Sequence, residues 1–136
     1  MRFLLDTHTF LWNLRSPNEI ADQARAILAD PGAELLISIV IPWEIAIKSG
    51  IGKLRNVSDL LEDFERRVIA GGFQILETSI KHIVRSGGLP LHHKDPFDRL
   101  LIAQALDLDV PILSRDEIFD LYGIKRIWHS AGAQQK

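Results

Sequence analysis

A chain of 136 residues with 46% apolar and 25% charged side chains fits one compact domain with a true core. It contains no cysteine, which excludes a disulfide framework and any Cys-based zinc site. Sixteen basic residues stand against 18 acidic ones, a net charge of −2, so binding of nucleic acid by bulk positive charge is excluded and only a local patch could serve.

Arg2 to Leu5 reads as a short strand ended by Asp6. Thr7-His8-Thr9 and Phe10-Leu11-Trp12 then suggest a loop and a first helix, stopped by Arg15-Ser16-Pro17-Asn18. A second helix is expected over Glu19–Asp30, with Ile20, Ala24, Ile27 and Leu28 on one face. Leu35 to Ile39 is a continuous apolar run, as in a strand buried on both faces of a parallel sheet. A helix follows over Ile41–Ser49, with Pro42 tolerated in its first turn. Val57–Ile69 predicts one amphipathic helix with Val57, Leu60, Leu61, Phe64 and Val68 as its stripe. Core packing is the ordinary use of such a stripe; receiving a partner helix or a second subunit is the alternative.

Phe73–Leu76 is the next strand, and Ser79–Ser86 a short helix ended by Gly87-Gly88. Asp95-Pro96 marks the start of a central helix running to about Leu106, Asp95 accepting backbone N–H bonds and Pro96 filling a position whose N–H has no partner. Val110–Leu113 is a strand. Ser114-Arg115-Asp116-Glu117 matches a capping box ahead of a short helix near Tyr122, and Arg126-Ile127-Trp128 is a last short strand. Strands alternating with helices predict an α/β domain over residues 1–130: a short parallel sheet of about five strands flanked by helices on both faces. Residues 131–136 are expected to be a frayed tail. No apolar run is long enough to span a bilayer and the N-terminus lacks a signal-peptide pattern, so a cytoplasmic protein without membrane contact is expected.

Four carboxylates stand at special places in this scheme. Asp6 ends the first strand, Glu44 lies in the helix after the second, Asp98 is in the first turn of the central helix, and Asp116 follows the strand ending at Leu113. Strand C-termini of a parallel sheet share one edge, where ligands bind. Asp6, Glu44 and Asp116 belong to that edge by topology, and Asp98 joins them if its helix starts there; four acids brought together would repel one another without a cation, and oxygen-only donors suit Mg²⁺ or Mn²⁺. Such ions bound by carboxylates and waters serve phosphodiester hydrolysis. Each acid also has a plainer use: Asp6 as a strand end, Glu44 paired with Lys48, Asp98 as a helix-start acid, Asp116 beside the cap.

Leu4-Leu5-Asp6-Thr7-His8, then Ser38 with Trp43-Glu44-Ile45-Ala46-Ile47-Lys48, the long block from Leu89 to Ala105, and Leu113-Ser114-Arg115-Asp116 together resemble a PIN domain. The likeness is to the VapC-like ribonuclease toxins of bacterial toxin–antitoxin pairs. It implies divalent-metal-dependent RNA cleavage, a dimer, and a partner antitoxin. Carried over by position, the catalytic and metal-binding acids are Asp6, Glu44, Asp98 and Asp116, and Ser114 is the hydroxyl that supports them. Asp95 competes with Asp98 for the ligand role, and Asp98 is preferred.

Lys48, Lys94, Arg99 and Arg115, with Lys53 and Arg55, are candidates for a local basic rim toward RNA, although scattered surface cations explain them nearly as well. His92 and His93 could contact RNA phosphate or the metal, although hard-oxygen chemistry disfavours metal ligation and a loop histidine is usually solvated. Trp12 and Trp43 can stack on bases, with packing the simpler use. Two rival functions remain open at this level. A haloacid-dehalogenase-like phosphotransferase shares the strand ending in Asp6, although its chemistry wants a second Asp where this chain has His8. A metal- or partner-binding module without turnover is the other.

Overall fold

The computed structural model describes residues 1–129, so the frayed tail expected over 131–136 and the domain limit at 130 lie outside the described residues. In chain order the elements are β1 (Arg2–Leu5), α1 (Thr7–Arg15), a 3-10 turn (Pro17–Glu19), α2 (Asp22–Ala29), β2 (Glu34–Ser38), α3 (Val40–Gly50), α4 (Ser58–Glu62), α5 (Phe64–Ala70), β3 (Gln74–Leu76), α6 (Ile80–Gly88), α7 (Pro96–Leu108), β4 (Ile112–Leu113), a 3-10 helix (Glu117–Tyr122) and β5 (Arg126–Ile127). The five strands form one sheet in the order β3-β2-β1-β4-β5, every neighbouring pair parallel. This is the expected α/β architecture.

The alternation of side chains along the strands explains the layers. Phe3, Leu5, Leu35, Ile37, Leu113 and Ile127 face one side, where Phe10 and Leu11 of α1, Ile41 and Ile45 of α3, and Phe64 and Val68 of α5 cover them. Leu4, Leu36 and Ile112 face the other, under Leu101, Ile102 and Ala105 of α7 and Phe119 of the 3-10 helix. β1 lies at the centre, Leu4 opposite both Leu36 and Ile112. Leu4, Leu5, Ile37 and Ile112 are wholly buried, and each such side chain contributes about 1.5–3 kcal/mol. The chain leaves β1 toward β2 and β3, then returns to β4 on the other side of β1. That reversal puts a crevice at the C-terminal ends of β1 and β4.

Several boundaries differ from the sequence reading. Glu19–Asp30 is not one helix: Ile20 and Ala21 are extended and α2 starts at Asp22. The stretch Val57–Ile69 breaks at Asp63, whose backbone leaves the helical region (φ −140°, ψ 41°). Phe64 thereby packs on Phe10, ring centroids 5.5 Å apart, and tertiary packing overrides local propensity. Its stripe is core: Val57, Phe64 and Val68 are buried, and Leu60 and Leu61 pack against them. The capping box does not form. The Ser114 hydroxyl instead donates to the buried Asp6 carboxylate and accepts from the Asp116 N–H, and Asp116 itself caps the 3-10 helix by accepting from Ile118 N.

Exposed apolar surface lies on α3 and α6. α6 turns His82 inward and leaves Ile80, Ile83 and Val84 exposed, and Ile39, Trp43 and Ile47 are exposed along α3. Ile39, Trp43, Ile83, Pro96 and Leu100 line a groove of about 320 Å³ between them. No helix among the described residues is long and apolar enough to cross a membrane.

Candidate active site

Asp6 follows β1 directly and caps α1, accepting from Thr9 N at 2.9 Å through one oxygen. Its other oxygen accepts from the Ser114 hydroxyl at 2.6 Å. Thr9 donates to the carbonyl of Leu113, 2.9 Å away, so hydroxyls tie β1 to β4 at the crevice. Burial pushes the Asp6 carboxyl above its ordinary value, and the bonds from Ser114 and Thr9 and the nearby His8 imidazole pull the other way.

Glu44 is 3% exposed, one turn into α3. One of its oxygens accepts from the Thr7 hydroxyl at 2.6 Å and the other pairs with Lys48, one turn along the helix. Burial would lower the Lys48 amine, but the bond to Glu44 and the charges of Glu44, Asp95 and Asp98 outweigh it and hold the amine above its ordinary value. Lys48 is thus the counter-charge inside the acidic group, and the rim position read from the sequence is corrected.

Asp95 caps α7, accepting from Asp98 N at 3.0 Å, as its sequence position implies. That leaves the Asp98 side chain free to point into the crevice. There its carboxyl is pushed up to about 7, first by burial and then by the charges of Asp95, Asp6 and Glu44, against the lowering effect of a hydrogen bond from His93. His93 Nε2 lies 2.7 Å from Asp98 Oδ2. His93 is thus half-buried and committed to the site, whereas the sequence suggested a solvated loop residue. One ligand atom from each of His93, Asp98 and Asp116 fits within 4.8 Å of the others.

The donor set fits a hard cation. Carboxylate oxygens dominate, no thiolate exists, and Asp98 is held above its ordinary range first by burial and then by like charges that a bound cation would neutralise. Asp98 and Asp116, with His93 beside them, would hold such an ion. Both oxygens of Asp6 already accept from Thr9 and Ser114, and both of Glu44 from Thr7 and Lys48, so these two would meet it only through their remaining lone pairs.

The remaining candidates separate. Arg99 is 7% exposed, and its guanidinium donates to the carbonyls of Ser86, Gly87, Leu89, Pro90 and His93. It anchors the connection between α6 and α7, and its place in an RNA rim is corrected: no donor-rich face is left for a phosphate. Lys94 and Arg115 are exposed. Lys53 and Arg55 are exposed in the turn after α3. His92 packs edge-on against Tyr122. Trp43 packs edge-on against Phe97, centroids 4.7 Å apart, and Trp12 packs beside Trp128. Thr7 and Thr9 escaped the sequence reading. The available signal was period: Thr7 stands three and four residues before Phe10 and Leu11, so it shares their inward face.

Buried carboxylates gathered where a parallel sheet reverses direction define an α/β protein with an acidic, cation-ready crevice. The model of the PIN domain matches residues 3–125, and the chain belongs to the PIN domain family, a family of nucleases. This membership displaces the phosphotransferase alternative. Solved structures with a similar fold include a chain of VapBC2 from Rickettsia felis, determined bound to a DNA fragment from their promoter, at 13% identity and TM-score 0.64 over 94% of this chain and 99% of that one. FitAcB from Neisseria gonorrhoeae is similar at 17% identity and TM-score 0.63, covering 92% and 96%. VapBC-1 from nontypeable Haemophilus influenzae is similar at 16% identity and TM-score 0.61, covering 93% and 97%. No curated protein matches the chain.

Proposed function

We propose that this chain is a Mg²⁺- or Mn²⁺-dependent endoribonuclease and the toxin of a toxin–antitoxin pair, working in the cytoplasm. The observation that carries the reading is a cluster at the C-terminal edge of a PIN-domain sheet: ligand atoms of His93, Asp98 and Asp116 lie within 4.8 Å of one another, and Asp98 is raised to about 7 by burial and then by three other carboxylates. When bound, the ion supplies a water of lowered pKa and stabilises charge on the phosphate and the leaving oxygen.

The chain's own residues prepare the site for it. Ser114 and Thr9 fix both oxygens of Asp6. Thr7 and Lys48 fix Glu44, so that its second lone pairs point from a set position. His93 orients Asp98 through their hydrogen bond. Lys94, exposed near these acids, is a cation that remains to meet the RNA backbone.

The fold's likeness to chains of VapBC and FitAB complexes supports an antitoxin partner. The exposed apolar residues on α3 and α6 suit a second copy of the chain, since such a patch on a small domain marks an association surface. Incubating single-stranded RNA with the purified protein tests the function. Cleavage with Mn²⁺ or Mg²⁺, none with chelator, and none by Asp98→Asn is the expected result. Cleavage that persists in chelator would overturn the metal dependence. Metal binding with no cleavage of RNA would favour a binding module.

A further inference from the structure

Three neighbouring strands carry aromatic and basic residues past their C-terminal ends. After β1 come His8 and Trp12, one helical turn apart on the same face of α1 with ring centroids at 5.6 Å. After β4 comes Arg115, its guanidinium carbon 5.9 Å from the centre of the Trp12 ring. After β5 come Trp128, buried at 5.9 Å from Trp12, and His129. Because β1, β4 and β5 lie side by side in the sheet, His8, Trp12, Arg115 and His129 line one cleft of about 520 Å³, with Trp128 behind Trp12. That size is within the roughly 300–1,000 Å³ of small-ligand sites. Asp6 and Asp116 belong to its walls as well as to the acidic crevice, so the two are continuous.

We propose that this cleft seats the nucleobase next to the scissile phosphate, stacked against Trp12 and Arg115. The inference rests on the ribonuclease reading above. The lining offers the base a polar partner in Glu117, a carboxylate outside the metal set, which accepts hydrogen bonds from ring and exocyclic N–H groups. The indole and guanidinium planes meet a flat, neutral ring, the usual mode for single-stranded RNA. Trp128 buttresses Trp12 from below, so the platform is rigid and the base loses little by ordering it. Arg115 and Trp12 are accordingly substrate-positioning residues, and Trp43, on α3 beside the apolar groove, is not.

The test is a cycle between protein and substrate, measured as KM and kcat for one defined single-stranded RNA with Mn²⁺. Removing the base from one nucleotide at a time on either side of the cleaved bond should raise KM about tenfold at one flanking position. Trp12→Ala should raise KM for the intact RNA by a similar factor, and should be indifferent to the loss of that base. Trp12→Phe should recover most of the difference, and Trp43→Ala should leave both values unchanged. If Trp12→Ala does not fold, exposed Arg115→Ala carries the same cycle with a smaller KM effect. A wild-type KM in Trp12→Ala or Arg115→Ala, or protein and base losses that simply multiply, would overturn the proposal. Absence of any RNA cleavage by wild type would overturn the ribonuclease reading, a result distinct from cleavage that ignores Trp12.

Discussion

Helix α7 carries the aspartates of two histidine–aspartate pairs that look alike in contact and differ in state. Near its start, His93 Nε2 lies 2.7 Å from Asp98, and near its end His82 Nε2 lies 2.9 Å from Asp107. Asp98 is pushed up to about 7, whereas Asp107 is held below its ordinary range. Asp107 is partly exposed and is bonded by Lys81 as well as by His82, so its charge is compensated on both sides. Asp98 is buried among Asp95, Asp6 and Glu44, and one imidazole does not offset them. A histidine beside an acid therefore says little about function. What separates the pairs is whether the surrounding charge is balanced without a ligand.

The widest separation is expected in catalysis. Asp98→Asn should lower RNA cleavage by more than about 100-fold, the scale of losing one preorganised electrostatic group. Asp107→Asn should leave kcat and KM unchanged, and a comparable loss there would collapse the distinction. Asp95→Asn should be mild, since Asn also caps helices well.

Next in size is a control on the same helix, where Arg99 adjoins Asp98 but faces away from the chemistry. Arg99→Met should cost about 3 kcal/mol in denaturant unfolding, because buried carbonyls lose their donor. A soluble, stable Arg99→Met protein that fails only in RNA binding would restore Arg99 to the substrate rim.

A third expectation uses pH. The folded Asp98 pKa of about 7 lies above the unfolded value of 3.8, so the folded state holds the proton more tightly. Stability with chelator should then fall as pH rises from about 4 to 7, and the penalty should persist above 7. Asp107 has the opposite sign in another window: its depressed pKa contributes stability above 3.8 that is lost only on further acidification. Melting curves from pH 5 to 8 should slope downward in wild type and flatten in Asp98→Asn. Mn²⁺ should raise the wild-type Tm at pH 7.5 and do much less for the variant. A flat wild-type profile with no metal shift would remove the electrostatic contrast. The smallest effect belongs to Lys81→Ala, which exposes Asp107 to one partner instead of two: Tm should stay near wild type at pH 7.

Much of this arrangement was readable in the residues. The continuous apolar runs of β1 and β2, the strand–helix alternation, and the Asp95-Pro96 start of α7 follow from local physics, and they bring Asp6, Glu44, Asp98 and Asp116 to one edge of the sheet. What failed depends on contacts far apart in sequence. Ser114 has the spacing of a capping box, but a buried carboxylate 108 residues away takes its hydroxyl. Arg99 looks like any surface cation until the α6–α7 connection folds around it. The break at Asp63 has no local signal, because the aromatic contact of Phe64 with Phe10 decides it. His93 became legible only once α7 turned Asp98 toward it.

The Arg99 anchor has a consequence for how the chain can be cut or lengthened. Residues 89–95 form no helix or strand, and such connections are where proteases nick and insertions settle. A protease must draw its target into an extended strand, and here the carbonyls of Leu89, Pro90 and His93 are held by one buried guanidinium. Trypsin should therefore spare Lys94, exposed though it is, and cut first at Lys53 or Arg55. The same tether fixes the length of the connection. An added residue between Leu89 and Asp95 would pull a carbonyl off Arg99 or shift Asp98 out of the crevice, so this irregular stretch is as intolerant of insertion as the helix that follows it.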